Sequence, residues 1–527
     1  MNPTKEQEAF VQTLLEKRPC FLSARAGTGK TTTIKLGIEA LLESGVPPQE
    51  ISAIAFNKMN QEDLAKALPL AVRVSTLHSL GYAAVRRFLP RTDLNTDKVF
   101  KILSSAGIRG KNARDTFKDT LRLVGAAKAW GLVPSPSKAN PSQGATSRGL
   151  WKTGLLPDTK ESWEELIEHF ELWDADILKA REVLLESNTK ALKSGEIDFD
   201  DMTYLPVALG LKILAPDILI VDEAQDLSPL NLEMLRNIPS KIWLVGDPYQ
   251  AIYAWRGASA QGLRDFISER DLPVLPLTNC WRCSGEIIAE ARKVVRDIWT
   301  ENPPGLPVAH RTSLPEFEKL EPGTILARNN STLVKIALEL KSAGKPVCIL
   351  GKELVKTLGG ILDKLKGTNS KTLKESLLSW KEKMLAKYPH QDGQILDYAS
   401  CLGVILDEVS GTQAAKKLLG EIFLDEPREG CWILSTIHKA KGKEFEKVWL
   451  FDWEKKGEQG WMKEEERNLE YVAITRAKNQ LIRIPQELLE LGAKRQERQE
   501  FFLGDSDLYS HEGELLSSPT REDGLWD

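Results

Sequence analysis

Short apolar runs rich in β-branched residues recur along the chain, and a stretch with helical spacing follows each of them. In chain order the runs cover 20–22, 51–56, 217–221, 242–245, 324–327, 347–350, 431–434 and 448–451. Strands that alternate with helices in this way form parallel sheets buried on both faces. The runs fall into two sets. The pattern therefore predicts an α/β fold with two parallel-sheet domains, each carrying a mostly helical insertion.

Long helical stretches interrupt both sets of strands and suggest where the domains begin and end. In the second stretch, Leu358, Leu362 and Leu365 have the i, i+4, i+7 spacing of a buried helix face. We predict a first sheet domain at 1–81 and 215–278, with its insertion at 82–214. A second sheet domain follows at 279–351 and 431–500, with a shorter insertion at 352–430. The last segment, 504–527, is predicted to be an acidic, disordered tail. Within the first insertion, the Pro-, Ser- and Gly-rich segment 134–160 predicts a mobile loop.

The composition is that of a soluble globular protein. Hydrophobic residues make up 42% and charged residues 28% of the 527 positions, which excludes a disordered or fibrous chain. No apolar run approaches the roughly 18 residues of a membrane helix, and residues 1–7 lack a secretory signal pattern. Six cysteines are too few for a disulfide scaffold, so we expect a cytoplasmic protein without a membrane partner.

The net charge of −4 is unevenly distributed. The segment 504–527 carries −6, which leaves +2 on residues 1–503. Because the body of the chain is only slightly basic, a nucleic-acid partner would have to bind in a local groove rather than on a broad basic surface.

A phosphate-binding loop is predicted between the first apolar run and the helix after it. Residues 24–31 follow the P-loop spacing, except that alanine replaces the usual first glycine. Gly27 and Gly29 let backbone N–H groups face a polyphosphate at a helix N-terminus. Lys30 would reach the β- and γ-phosphates, and the Thr31 hydroxyl would bind Mg²⁺. An ordinary glycine-rich turn is the alternative that this motif alone leaves open.

An acidic pair directly after the run 217–221 weakens that alternative. Asp222 and Glu223 would lie at the carboxyl edge of the predicted sheet, where ligands bind in open α/β sheets. Asp222 would then bind Mg²⁺, and Glu223 would orient and deprotonate the attacking water. Together the two motifs predict a nucleoside triphosphatase.

Further motifs occur in a fixed order along most of the chain. They are Gln7 and the segments 26–31, 55–57, 76–78, 198–201, 221–226, 246–257, 281–282, 435–445 and 471–477. The ordered set resembles the motifs of UvrD/Rep/PcrA-like superfamily 1 DNA helicases, whereas the two insertions carry no specific motif. The resemblance implies two RecA-like domains, ATP and Mg²⁺ as cofactors, and single-stranded DNA as a partner.

The resemblance implies an ATP site. Gln7 would read the adenine edge, Trp281 would stack on adenine where the family usually has tyrosine, and Glu444 would contact the ribose. The residues implied for ATP binding are Gln7, Ala26, Gly27, Thr28, Gly29, Lys30, Thr31, Thr32, Trp281 and Glu444, with Mg²⁺ held by Thr31 and Asp222.

Catalysis is implied for residues of both sheet domains. The set is Lys30, Asp222, Glu223, Gln250, Arg282 and Arg476. Gln250 resembles the γ-phosphate sensor, and Arg282 and Arg476 resemble two arginines that clamp the γ-phosphate, a contribution of roughly 10³–10⁵ in rate. Because the arginines belong to the second domain and Lys30 to the first, the nucleotide would lie in a cleft between the two.

A track for single-stranded DNA is implied by aromatic and small polar residues in the same motifs. These are Phe56, Asn57, Thr76, His78, Tyr253, Trp255, Arg256, Thr436 and His438. Aromatic side chains stack on bases of any sequence, which suits an enzyme that moves along DNA. Tyr253 and Trp255 are the pair we favour for stacking, although any single aromatic residue is more often part of a core.

Cys280 and Cys283 form a Cys-x-x-Cys pair, a spacing found in zinc and redox sites. The sequence contains no second pair of this kind, and the two residues between the cysteines are implied in nucleotide chemistry. We therefore favour packing thiols over a zinc or redox site.

The sequence supports three hypotheses of function. We expect an ATP-dependent helicase that translocates 3′ to 5′ on single-stranded DNA and acts at single-strand/duplex junctions in repair, recombination or replication. The second hypothesis is a translocase subunit of a repair or anti-phage complex that does not unwind alone, because insertion 352–430 is shorter than its counterpart in the family. A protein partner would bind through that insertion or the tail. The third is an ATP-gated binding module, which would leave both arginines without a role.

Overall fold

The computed structural model describes residues 3–108, 113–134, 155–170, 172–252, 260–387, 392–453, 460–485 and 487–488. The strands are β1 (Phe21–Ala24), β2 (Ile51–Ala55), β3 (Arg73–Thr76), β4 (Asp93–Leu94), β5 (Glu196–Ile197), β6 (Ile218–Val221), β7 (Lys241–Gly246), β8 (Val274–Leu277), β9 (Ala309–His310), β10 (Thr324–Ala327), β11 (Val347–Leu350), β12 (Phe423–Leu424), β13 (Trp432–Thr436), β14 (Phe445–Phe451) and β15 (Ala477–Ile484).

The helices are α1 (Lys5–Leu15), α2 (Lys30–Glu43), α3 (Lys58–Ala67), α4 (Leu77–Phe88), α5 (Lys98–Ala106), α6 (Ala113–Ala129), α7 (Lys160–Phe170), α8 (Ile177–Ser194), α9 (Asp201–Ala208), α10 (Pro229–Arg236), α11 (Ala260–Glu269), α12 (Gly285–Ala291), α13 (Asn330–Ser342), α14 (Glu353–Leu362), α15 (Ser370–Lys387), α16 (Asp392–Glu408), α17 (Thr412–Ile422), α18 (Ile437–Ala440) and α19 (Gly460–Ile474). None of these helices is long and apolar enough to cross a membrane.

The first sheet has six parallel strands in the order β3-β2-β6-β7-β1-β8. Its inner strand β6 reads Ile-Leu-Ile-Val, and all four side chains are buried. Parallel strands with helices on both faces need this uniformly apolar composition. We call this sheet with its helices the first lobe.

The second sheet, which with its helices forms the second lobe, has seven parallel strands in the order β12-β11-β13-β10-β14-β15-β9. Trp432 and Trp449 are buried on its strands, and both meet the ring of Phe317 edge-on, at 5.5 and 5.4 Å between ring centroids. The two sheets confirm the predicted α/β fold with two RecA-like parallel-sheet domains.

Helices interrupt each sheet where the sequence predicts them. Helices α4 to α9 lie between β3 and β6, and α14 to α17 lie between β11 and β13. Leu358, Leu362 and Leu365 are buried, as their spacing predicts. The domain limits themselves stay a prediction. Residues 135–154 of the predicted loop and the whole tail lie outside the described residues.

A buried ion network joins the helices of the first insertion. Lys128 Nζ lies 2.6 Å from an Asp198 carboxylate oxygen and 2.8 Å from one of Asp201, and Lys98 Nζ lies 2.6 Å from the other Asp201 oxygen. The four side chains are at most 7% exposed. Buried charges are tolerated only when they are paired and hydrogen-bonded, so the network fixes the segment 198–201 against α5 and α6.

Candidate active site

The loop between β1 and α2 has the shape of a phosphate cradle. Gly27 and Gly29 have φ of 69° and 84°, a left-handed conformation that glycine adopts without strain. A Cβ at Gly27 would lie 2.6 Å from Arg282 Cβ and 2.9 Å from Cys280 Sγ, so the second lobe packs directly on this loop. Helix α2 begins at Lys30, and its first backbone N–H groups form an anion site.

Lys30 and Glu223 form an ion pair at the centre of the site. Lys30 Nζ lies 2.9 Å from both Glu223 carboxylate oxygens. Burial opposes the charge of Glu223, but Lys30 and then Lys441 outweigh it and lower the pKa of Glu223 to about 2. Glu223 also has a left-handed backbone, with φ of 53°, which is unfavourable for a side chain with a Cβ and is typical of functional positions. The carboxylate is thus held charged beside the phosphate loop.

Asp222 is the neighbouring carboxylate at the end of β6. One of its oxygens accepts a hydrogen bond from the Glu223 backbone N–H at 2.9 Å. Burial, and then the negative charge of Glu223, raise the pKa of Asp222 to about 7. A cation would relieve this excess of negative charge. The Thr31 hydroxyl and the Asp222 carboxylate are hard oxygen donors of the kind that suits Mg²⁺, which takes few protein ligands and fills its remaining positions with water and phosphate oxygens, so their implied role as Mg²⁺ ligands stays a prediction.

Trp281 and Arg282 approach the phosphate loop from the second lobe. The Trp281 backbone N–H donates to the Gly27 carbonyl at 2.9 Å, and the Trp281 side chain is 41% exposed. Arg282 packs against Gly27 and pairs with Glu444, with 2.6 Å between Nε and a carboxylate oxygen. Glu444 is therefore bound to Arg282 in this structure, and its implied ribose contact stays a prediction.

Arg476 is fully buried behind Arg282. It donates to the carbonyl oxygens of Val472 and Lys443, each at 2.9 Å, and to the Thr475 hydroxyl at 3.2 Å. Burial and the like charge of Arg282 lower the pKa of Arg476 to about 10, so it remains cationic at neutral pH. Arg282 thus lies directly against the phosphate loop, whereas Arg476 is held by groups of its own lobe.

Gln7 lies at the side of the same loop. Its Nε2 donates to the Thr33 hydroxyl at 3.3 Å, and its Oε1 accepts from the Thr4 backbone N–H at 2.9 Å in the capping box of α1. A Cβ at Gly29 would lie 3.8 Å from Gln7 Nε2. Gln7 is therefore adjacent to the phosphate loop, and its implied adenine contact stays a prediction.

Gln250 is connected to Glu223 through two other side chains. Gln250 Nε2 donates to Asp247 at 2.6 Å, and the Asp247 backbone N–H donates to Gln225 Oε1 at 2.9 Å. Gln225 Nε2 in turn donates to a Glu223 oxygen at 2.5 Å. This chain links the candidate sensor to the candidate base within the first lobe.

Lys441 reaches from the second lobe to the residues beside this series of hydrogen bonds. Its Nζ lies 2.8 and 2.9 Å from the two Asp226 carboxylate oxygens and 2.7 Å from the Gln250 carbonyl oxygen. Both charged side chains are at most 9% exposed. Lys441 lies in the motif 435–445, but no local signal in the sequence distinguishes it from the neighbouring lysines.

The described part of the implied DNA track lies at the carboxyl edges of the two sheets. The side chains of Asn57 and Thr76 cap α3 and α4, and Thr436 occupies the N-cap position of α18, which carries His438. Phe56 and His78 line a cavity of about 220 Å³ that also reaches Asp222 and Asp226. This cavity connects part of the implied track to the nucleotide site. Tyr253, Trp255 and Arg256 lie outside the described residues.

Phe199 is an aromatic residue of this region that sequence reasoning missed. Its ring stacks on His78 with 4.5 Å between centroids and 24° between planes, and it is 55% exposed. Burial lowers the pKa of His78, which keeps its ring neutral. The exposed Phe199 ring, supported by the half-buried His78 ring, is a surface on which a base can stack.

The Cys280 and Cys283 thiols are both buried. The Cys283 backbone N–H donates to Cys280 Sγ at 3.4 Å, and among the described residues no group of three or more His, Cys, Asp or Glu side chains is arranged to hold a metal ion. The interpretation of the two cysteines as packing thiols stays a prediction.

Two parallel α/β lobes that meet at a P-loop define a two-lobed P-loop protein of the RecA type. Comparison with known families gives the finer assignment. Residues 3–271 match the UvrD/REP helicase N-terminal domain, and residues 423–486 match the UvrD-like helicase C-terminal domain. The chain belongs to the UvrD/REP helicase family.

Several curated proteins are similar to this chain. F-box DNA helicase protein 1 of Schizosaccharomyces pombe is 26% identical over 91% of the chain and 57% of its own length. ATP-dependent DNA helicase PcrA of Bacillus subtilis is 27% identical over 60% of the chain and 43% of its own length. ATP-dependent DNA helicase Rep of Escherichia coli is 26% identical over 56% of the chain and 43% of its own length. The chain thus spans about half the length of the curated relatives it matches.

Proposed function

We propose that the protein is a DNA-dependent ATPase and helicase of the cytoplasm that uses Mg²⁺ and translocates 3′ to 5′ along single-stranded DNA. The observation that carries the proposal is the seam between the lobes, where Arg282 packs on Gly27 of the phosphate loop beside the Lys30–Glu223 pair. The phosphate loop of the first lobe and an arginine of the second lobe thus lie next to each other, an arrangement that ATP hydrolysis between two RecA-like lobes requires. The names of the relatives support DNA as the substrate.

The residues of the chain divide the work as follows. On ATP binding, Lys30 leaves Glu223 for the β- and γ-phosphates, which frees the carboxylate to take a proton from the attacking water. Arg282, and Arg476 behind it, supply positive charge to the γ-phosphate as charge develops there. Bound Mg²⁺ would neutralise charge on the phosphates from its position on Thr31 and Asp222.

Movement would follow from the contacts that cross the cleft. Lys441 is hydrogen-bonded to both Asp226 and the Gln250 carbonyl. Opening of the lobes would therefore displace the residues around Gln250, which we call the sensor segment. Phe56 and His78 line the cavity that also reaches Asp226, the carboxylate bound by Lys441, and Phe199 stacks on His78. Alternating grip of the two lobes on DNA would convert each cycle into a step.

The first experiment measures ATP hydrolysis with and without oligo-dT. We expect strong stimulation of the wild type by oligo-dT, no activity for Lys30→Ala, and basal but unstimulated activity for Trp255→Ala. Lys35→Ala is the matched control, because Lys35 lies on the same helix, is 48% exposed and forms only an i,i+4 surface pair with Glu39. Equal wild-type rates with and without DNA would contradict the motor function.

A second candidate function is a translocase that strips proteins from DNA or serves a larger complex without unwinding alone. The short second insertion favours it, since the structure describes four helices, α14 to α17, between β11 and β13. Forked duplexes with 3′ or 5′ tails separate the two functions. Strand separation from 3′ tails supports the helicase, whereas DNA-stimulated hydrolysis without strand separation supports the translocase. A role for 504–527 or the insertion in binding a partner protein stays a prediction.

A further inference from the structure

Arg25, the residue directly after β1, reaches across the seam to the second lobe. Its Nε lies 2.8 Å from one Asp297 carboxylate oxygen and its Nη2 lies 2.5 Å from the other. Its Nη1 donates to the carbonyl oxygens of Ser23 and Ala24 at 3.2 and 3.0 Å. The side chain is 7% exposed. In this structure the donors of Arg25 are thus directed to Asp297 and to carbonyl oxygens of β1.

The same guanidinium lies over an aromatic ring that touches the sensor segment. Arg25 Cζ is 4.8 Å from the Tyr249 ring centroid, and Tyr249 directly precedes Gln250. The Tyr249 ring meets the Tyr471 ring edge-on at 6.2 Å, and the Tyr471 hydroxyl accepts a hydrogen bond from the Ala26 N–H at 2.8 Å. Arg25, itself a residue of the phosphate loop, therefore contacts both Tyr249, next to Gln250, and Asp297 of the second lobe.

Asp297 is attached to the segment that joins the two lobes. It lies two residues before Trp299, whose carbonyl oxygen accepts from the Cys280 N–H at 2.7 Å and whose N–H donates to the Thr278 carbonyl at 3.1 Å. Thr278 follows β8, the last strand of the first sheet. A displacement of Asp297 would therefore move the segment that joins the two lobes and carries Trp281 and Arg282.

We propose that Arg25 and Asp297 are a positioning pair that holds the second lobe against the phosphate loop and thereby sets the affinity for ATP. The inference rests on the proposed function, because it takes this seam as the ATP site. The planar, two-point Arg–carboxylate geometry favours one relative orientation of the lobes. Without it, the closed arrangement is less populated in the free protein, and apparent ligand affinity falls in proportion to that population.

The test uses Asp297→Asn, which removes the charge at a side chain that is 50% exposed. We expect the KM for ATP at saturating oligo-dT to rise about three- to tenfold, with kcat within about twofold of wild type, because the closed complex itself is unchanged. Equilibrium binding of a fluorescent ATP analogue should weaken by the same factor.

Glu269→Gln is the matched control. Glu269 is also bound at two points by an arginine, with 2.8 and 3.2 Å to Arg236, and is 51% exposed. Arg236 likewise lies over a ring, 5.5 Å from the Phe266 centroid. This pair joins α10 to α11 within the first lobe, so its loss should leave the KM for ATP at the wild-type value even if it lowers the melting temperature equally.

Two further variants separate positioning from general stability. Asp297→Glu keeps the charge and should return the KM to within about twofold of wild type, whereas Arg25→Lys keeps the charge but loses the two-point geometry and should raise it. In a double-mutant cycle, Arg25→Lys combined with Asp297→Asn should add little to either change. A KM for Asp297→Asn equal to that of Glu269→Gln would overturn the pair. Wild-type protein without DNA-stimulated hydrolysis would overturn the proposed function instead, and analogue binding would still test the pair.

Discussion

Lys30 Nζ is equidistant from the two carboxylate oxygens of Glu223, at 2.9 Å from each. The cation expected to bind phosphate and the carboxylate expected to activate water thus neutralise each other when no nucleotide separates them. In the proposed mechanism, binding of ATP would separate this pair and make both groups available together.

Glu223→Gln tests the role of the carboxylate. We expect hydrolysis to fall by about 10²–10⁴-fold, the usual contribution of a general base, while ATP binding is retained because Lys30 no longer has to leave a charged partner. The measurements are steady-state ATPase and equilibrium binding of a fluorescent analogue. Glu62→Gln, at an exposed site on α3, is the control. Hydrolysis near the wild-type rate would exclude Glu223 as the base.

Lys441→Met tests the contact across the cleft. Removing one partner of a buried charge pair leaves Asp226 unpaired, and burial already raises the pKa of Asp226 to about 6 with Lys441 present. We expect DNA-stimulated hydrolysis to fall at least about tenfold. Lys443→Met changes an exposed lysine two residues away and should have no effect. If the two variants behave alike, Lys441 does not couple the lobes.

Phe199→Ala tests the aromatic surface that Phe199 forms with His78. Base stacking on an aromatic side chain contributes about 1–3 kcal/mol, so we expect affinity for oligo-dT to fall by about five- to hundredfold with basal hydrolysis unchanged. Fluorescence anisotropy of labelled oligo-dT measures this. Phe88→Ala, at a phenylalanine that is 41% exposed at the end of α4, is the control. Unchanged affinity would remove Phe199 from the DNA track.

The sequence predicts those parts of the structure that have a local signal. Ile218–Val221 is a strand in the structure because an apolar, β-branched run fits a sheet covered on both faces. The loop at Gly27 and Gly29 has a fixed spacing that any reader of the sequence can find. In both cases neighbouring residues determine the conformation, so no knowledge of distant segments is needed.

Contacts between distant segments have no such signal. Arg25 and Asp297 are 272 positions apart, and nothing in the chain marks this aspartate among the other acidic residues. Lys98 and Lys128 look like ordinary surface charges in the sequence, yet both side chains are fully buried. Phe199 lies in a quoted motif, but only the fold brings it to His78. Tertiary packing decides these partnerships.

Lys128→Met tests the buried ion network. The substitution leaves Asp198 and Asp201 with fewer positive partners in a dry environment, and breaking a buried pair in this way costs about 3–5 kcal/mol. Urea denaturation followed by tryptophan fluorescence measures the loss. Lys190→Met is the control, because Lys190 is 38% exposed and lies 3.7 Å from Glu196. A loss below about 1 kcal/mol would show that the network does not hold the insertion together.

We expect the rate at which the Cys280 thiol is alkylated to depend on pH and on how far the two lobes are separated. A hydrogen bond from the Cys283 thiol lowers the pKa of Cys280 to about 7, whereas burial raises the pKa of Cys348 to about 11. Because the thiolate is the nucleophile, alkylation of Cys280 should rise with pH and level off above about pH 8, while alkylation of Cys348 keeps rising.

Cys280 Sγ packs on Gly27 of the other lobe, so a non-hydrolysable ATP analogue should slow its alkylation and leave Cys348 unaffected. Iodoacetamide labelling followed by peptide mass spectrometry measures both sites. Equal pH profiles, or equal protection of the two cysteines, would contradict a thiol covered by the phosphate loop.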